Sequence, residues 1–155
     1  MERVTPKECR FECFIDFAHT PDALKRSALS ARPLRDKGGR LIMLFGCGGD
    51  RDRGKRAEMG RVASEYADVC IVTSDNPRSE DRDEIIRQIL KGIDKEKEYF
   101  VEPLRTEAIR LAVSLARAGD VVLLCGKGHE RYEIDAEGQH PFDEKEILLR
   151  AIADK

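Results

Sequence analysis

The chain is expected to fold as an α/β domain: a Rossmann-like, mostly parallel sheet with helices on both faces and a small β-hairpin near the C-terminus. Two observations carry that expectation. Short β-rich runs alternate with segments of helical spacing along the 155 residues, the order that builds parallel sheets through helical crossovers. The central runs LIMLF, VCIVT and VVLLC are apolar without a break, as strands are when helices cover both of their faces.

Taken in order, residues 1–10 read as a connector outside the fold, and residues 14–17 as the first strand. Residues 21–34 follow as a helix with Thr20 as its N-cap and Pro21 in its first turn, where a missing N–H is tolerated. Residues 40–45 form a second strand, and residues 54–66 carry helical spacing at Met59, Val62, Ala63 and Tyr66. A third buried strand covers 69–73, a helix 83–92, a short strand 99–101, a helix 106–116 and a strand 121–125. Residues 132–134 and 139–142 pair as a hairpin around Glu137 and Gly138, and Asp143 caps a last helix that reaches Ala151.

The length suits one domain with its own core. A net charge of −2 supplies no basic field for nucleic acid or for an anionic membrane. No apolar run approaches the ~20 residues of a bilayer span, and MERVTPKECR has no signal-peptide core. The five cysteines fall singly, three of them in apolar runs (Cys47, Cys70, Cys125), and no second pair completes a zinc site with Cys9 and Cys13. A reduced, cytoplasmic protein without a metal of its own is expected.

Open α/β sheets bind ligands beyond the carboxyl ends of their strands, and the unusual residues gather there. After the second strand, Gly49, Gly54 and Lys55 supply G-x-x-x-x-G-K, but Arg56 stands where a phosphate loop needs Ser or Thr for Mg²⁺. The interior Asp50-Arg51-Asp52-Arg53 is too bulky to cradle phosphate and instead suits a ligand bearing both charges. After the third strand, Asn76-Pro77 makes a rigid turn from which Arg78 can grip a carboxylate through two parallel bonds. After the last buried strand, CGKGHE places Lys127, His129 and Glu130 among glycines that permit close backbone approach. After the first, Asp16 interrupts an apolar run and His19 precedes a helix. Each loop alone is explained by a solvated turn with surface charges.

Together, DFAHTPDAL, FGCGGDRDRGKR, VTSDNPRSED and LLCGKGHE, in this order and spacing, closely resemble the C-terminal domain of the Mur ligases, over about residues 11–151. MERV resembles the linker that precedes that domain, which divides the chain into a linker remnant (1–10) and an amino-acid-binding domain (11–155). The resemblance implies an ATP-dependent, amide-forming ligase of peptidoglycan synthesis. In such enzymes ATP phosphorylates the glutamate side chain of UDP-MurNAc-L-Ala-D-Glu, and the amine of an incoming amino acid displaces the phosphate. ATP and Mg²⁺ would be held mainly by two other domains of the same ligase, so this stretch would carry no catalytic residue and be inactive alone.

What the resemblance assigns here is the amino-acid site and one wall of the nucleotide cleft. Arg51, Asp75, Asn76, Pro77, Arg78, Gly126 and Glu130 match substrate-binding positions. Asp16 and His19 match nucleotide-facing ones, with Phe17 in place of a tyrosine. Arg51 and Arg78 would take carboxylates, and Glu130 with the Gly126 carbonyl an ammonium. An arginine at 78 favours meso-diaminopimelate over L-lysine, because a buried guanidinium without a carboxylate partner is costly. Lys127 and His129 read as loop-forming or as supports behind the binding residues. The alternatives are a lysine-adding ligase, a stand-alone amino-acid-binding or regulatory module, and a nucleotide-binding protein acting through the 49–55 loop.

Overall fold

The computed structural model describes all residues from Met1 to Lys155. Eight strands and five α-helices follow one another: β1 (Glu2–Arg3), β2 (Glu12–Asp16), α1 (Pro21–Ala31), β3 (Leu41–Phe45), α2 (Gly54–Tyr66), β4 (Val69–Val72), α3 (Arg82–Leu90), β5 (Glu98–Val101), α4 (Arg105–Leu115), β6 (Val121–Cys125), β7 (Tyr132–Asp135), β8 (Gly138–Pro141) and α5 (Glu144–Ala153). The main sheet runs β1-β2-β6-β3-β4-β5, parallel throughout except for β1. The α/β class is therefore as expected, and β7 and β8 form the separate hairpin.

The unbroken apolar runs are explained by two cores. Leu41, Met43 and Phe45 of β3 pack with Leu24, Met59, Ala63, Ile85 and Ile89 beneath α1, α2 and α3. The alternate residues Ile42 and Leu44 pack with Ala108, Ile109, Ala112 and Leu148 beneath α4 and α5. A strand buried on both faces has no polar register, so its whole sequence is apolar. β6 lies between β2 and β3. The chain thus passes over β6 through α1 and returns to it through α4, and the crevice of the sheet opens at the carboxyl ends of β2, β6, β3 and β4.

Local chemistry sets the boundaries. Thr20 caps α1 by accepting from the Ala23 N–H at 3.2 Å. That helix stops at Ala31, short of the expected residue 34, because Pro33 offers no N–H and its ring obstructs the preceding turn; Arg32–Leu34 tightens to a 3₁₀ turn instead. The hairpin closes one residue earlier than expected, with Asp135 paired to Gly138 and Ala136-Glu137 at the tip.

Residues 1–10 are not outside the fold. Glu2 pairs with Ile15 and Arg3 with Phe14, Val4 is buried in the second core, and the Val4 N–H donates to the Cys13 carbonyl at 2.9 Å. Two residues of strand are too few to show a period in sequence.

Candidate functional site

The loops that leave β2, β3, β4 and β6 meet over the carboxyl edge and enclose a cavity of about 530 Å³. Arg51, Asp75, Asn76, Arg78, Gly126 and Glu130 line it, together with His19. The positions singled out after separate strands therefore converge on one volume. Pro77 is buried behind them and shapes the turn. Asp16 is set apart: its carboxylate accepts from the Ser27 hydroxyl, and it lines a smaller neighbouring cavity with Ile15, Phe17, Gly128 and His129. Asp16 and His19, expected on one nucleotide-facing patch, thus face different cavities.

The 46–53 and 73–81 loops are laced together. The Gly49 N–H donates to the Asn76 carbonyl at 2.8 Å, and Arg78 Nη1 donates to the Gly49 carbonyl at 2.9 Å. Asp50 accepts from the Ser79 hydroxyl at 2.7 Å and from the Ser79 N–H at 3.2 Å, and these bonds lower its carboxyl pKa. A Cβ at Gly49 would stand 1.8 Å from the Pro77 carbonyl oxygen, so only glycine lets the loops touch. Asp50 and Arg78 both hold left-handed backbone, φ +54° and +52°. That conformation is strained for side-chain-bearing residues and persists where the surroundings impose it.

The guanidinium of Arg56 makes the joint permanent. It has no exposed surface and donates to Glu80 at 2.7 Å, Gln88 at 3.0 Å and the Gly48 carbonyl at 3.0 Å. Its hydrogen bonds, first among the causes, pull the Glu80 carboxyl down to about 2. The G-x-x-x-x-G-K resemblance is thus filled by an arginine engaged within the protein, and the loop has no hydroxyl at this position to hold a metal. The residues do not fit a triphosphate–Mg²⁺ cradle.

Beneath the cavity lies a buried charged floor. Arg105 donates to Glu144 Oε1 at 2.7 Å, to the Ser74 carbonyl at 3.1 Å and to the Cys125 carbonyl at 2.8 Å, tying the ends of β4 and β6 to α5. Burial opposes the Arg105 charge, but the carboxylates of Glu144 and Asp75 outweigh it and raise its pKa. Lys127, fully buried, donates to Asn76 Oδ1 at 2.9 Å and to the Tyr132 carbonyl at 2.9 Å. Burial lowers its pKa, against the pull of Asp75. Gly126, at φ +119°, brings the chain so near Asp75 that a Cβ would lie 2.7 Å from its Oδ2.

At the rim, His19 stacks edge-on to Phe17 with ring centroids 4.8 Å apart. Its Nδ1 lies 2.9 Å from the Phe17 carbonyl; since that oxygen can only accept, Nδ1 carries the hydrogen. Lys55 Nζ donates to the His19 carbonyl at 2.7 Å, and the Tyr132 hydroxyl donates to Glu130 at 3.1 Å. His129 points to solvent, its side chain 92% exposed. Sequence reasoning missed Arg105 and Arg56 as supports and left Lys127 open between a loop-forming and a supporting role. The signal at Lys127 is a cation held between two glycines directly after a buried strand.

Residues 1–128 match the family model described as Mur ligase, glutamate ligase domain. Over 139 residues the chain is 50% identical to the UDP-N-acetylmuramoyl-L-alanyl-D-glutamate–2,6-diaminopimelate ligase of Prochlorococcus marinus (strain NATL1A), an alignment covering 90% of this chain and 27% of that protein. A solved structure of a ligase of the same name superposes with a TM-score of 0.92 at 37% identity, covering 99% of this chain and 31% of that one. A bifunctional folylpolyglutamate synthase/dihydrofolate synthase of Yersinia pestis, solved with AMPPNP and a Mn ion, shares the fold at TM-score 0.60 and 20% identity, over 81% of this chain and 28% of its own. The chain thus spans less than a third of the length of these relatives.

Proposed function

Because this chain belongs to the Mur ligase family, matching its glutamate ligase domain, we propose that it is the C-terminal domain of an ATP-dependent ligase that adds meso-diaminopimelate to UDP-MurNAc-L-Ala-D-Glu in cytoplasmic peptidoglycan synthesis. Residues 1–10 would join residues 11–155 to the domains that hold ATP, Mg²⁺ and the UDP-dipeptide. The γ-carboxyl of the glutamate, activated there as an acyl phosphate, is attacked by an amine held here. The C–N bond forms, phosphate leaves with the C–O electron pair, and the amine sheds a proton.

The observation that carries this reading is one cavity lined by cations and carboxylates together: the guanidinium groups of Arg51 and Arg78 with the Lys55 ammonium, and the carboxylates of Asp52, Asp75 and Glu130. Meso-diaminopimelate is a double zwitterion, so it needs cations for its carboxylates and anions for its ammonium groups. In our reading Arg78, with Asn76, takes the distal carboxylate, Arg51 takes a carboxylate, and Glu130 with the Gly126 carbonyl takes the distal ammonium. Pro77 sets the turn, His19 faces the nucleotide from the rim of this cavity, and Asp16 faces it from the neighbouring one. What this chain supplies to the reaction is placement: holding the amine against the acyl phosphate removes much of the entropic cost of meeting.

The test is turnover by the full-length protein with meso-diaminopimelate and with L-lysine. The parent should prefer diaminopimelate, and Arg78→Ala should lower kcat/KM for it about 100-fold, or about 2.7 kcal/mol, through loss of a charge-assisted pair. Unchanged turnover in that variant would overturn the assignment.

A further inference from the structure

Lys127 lies under the cavity wall and reaches it only through other groups. Gly126 and Gly128, with φ of +119° and +55°, turn the chain on either side of it and send its side chain inward. Its Nζ donates to Asn76 Oδ1 at 2.9 Å and to the Tyr132 carbonyl at 2.9 Å. The same ammonium is 3.5 Å from Asp75 Oδ1, a buried oxygen with no hydrogen bond of its own. The ring of Phe142 lies 5.3 Å away on the apolar side. A second donor meets Asn76 Oδ1: the backbone N–H of Ile134, at 3.0 Å.

Both donors are obligate, since neither an ammonium nor a peptide N–H can accept a hydrogen bond. The atom of Asn76 between them must therefore be the amide oxygen. The amide is thereby locked in one of its two orientations, and the N–H bonds of Nδ2 are left to the cavity that Asn76 lines. Turned over, the same side chain would present an acceptor, which repels a carboxylate and attracts an ammonium. The lock thus sets the sign of this wall.

Resting on the functional reading above, we infer that Lys127 is a positioning residue for substrate selection. Its buried ammonium, with the Ile134 N–H, fixes Asn76 so that its side chain presents only donors beside Arg78, and this favours the carboxylate of the incoming amino acid at that end of the cavity. Lys127 touches neither substrate nor reacting atoms.

A double-mutant cycle in the full-length protein tests this, with Lys127→Met, Asn76→Ala and the pair together. KM is read for meso-diaminopimelate, ATP and the UDP-dipeptide, alongside kcat and the melting temperature. Lys127→Met should raise KM for diaminopimelate about tenfold while the other two KM values stay within about twofold, and most of that rise should vanish in the Asn76→Ala background. An equal rise in both backgrounds overturns the inference, as does a common rise in all three KM values that tracks a fall in melting temperature. If Lys127→Met does not fold, Lys127→Gln enters the same cycle under the same criteria. A parent protein inactive on meso-diaminopimelate would overturn the functional reading and this inference with it; an active parent without coupling between 127 and 76 overturns this inference alone.

Discussion

Arg56 carries a full charge with no exposed surface, and its bonds to Glu80, Gln88 and the Gly48 carbonyl join the β3–α2 loop to α3 and the turn before it. Arg56→Met would keep much of the volume but strip the Gly48 carbonyl and Gln88 of this donor and leave Glu80 with only the Asp50 N–H and Arg53, at a cost of about 3 kcal/mol. The pH dependence follows from the sign of the shift. Glu80, held at about 2 against an ordinary 4.5, contributes stability that is complete above the unfolded value and is lost as pH falls from 4.5 through 2. Urea midpoints measured across that window should fall further for the parent than for Arg56→Met. Nothing adjacent in sequence announces this role. Arg56 looks like a spoiled phosphate loop because its partners lie 24 and 32 residues away. Arg105 is equally silent, since Glu144 is 39 residues distant. The cavity-lining residues were readable because each sits in a glycine- or proline-marked loop directly after a buried strand. Their supports were not, because a buried ion pair is a property of which strands become neighbours.

Some elements were readable to the residue and others only to within a few residues, as with the helix expected over 83–92 and found at Arg82–Leu90. Helix Gly54–Tyr66, opened by a glycine-rich loop, and strand Val121–Cys125, an unbroken apolar run, have the bounds expected of them. The hairpin was readable in kind, but a two-stranded ribbon has little stability of its own, and its position depends on docking. The Arg78 N–H donates to the Ile134 carbonyl at 3.0 Å, the Ile134 N–H donates to Asn76, and Arg82 pairs with Glu133 at 3.1 Å. Both backbone groups of one hairpin residue therefore serve the motif that carries Arg78, and this contact holds Arg78 in its left-handed conformation. Arg82→Gln should accelerate amide hydrogen exchange across 132–141 and at Arg78, while β3, β4 and β6 exchange as before. Unchanged protection at Ile134 would show that the ribbon does not need that ion pair.

At the scale of the molecule, the parallel order and the crevice above it were predictable from alternation and apolar runs, while the antiparallel start was not. That start has a further consequence. Glu2 and Arg3 pair with β2, the Thr5 hydroxyl accepts from the Cys13 N–H at 2.9 Å, and Arg3 holds Glu12 at 2.7 Å. This short ribbon shields one flank of the sheet. At the opposite flank β5 is bracketed by Lys97, Glu98 and Glu102, charges that discourage pairing with another chain. Removing residues 1–5 would bare the rim of β2, whose Cys13, Phe14 and Ile15 are buried. Light scattering of the shortened protein should then reveal more concentration-dependent self-association than the intact chain shows. On that outcome, a segment that resembles a tether would double as a guard against unwanted polymerisation.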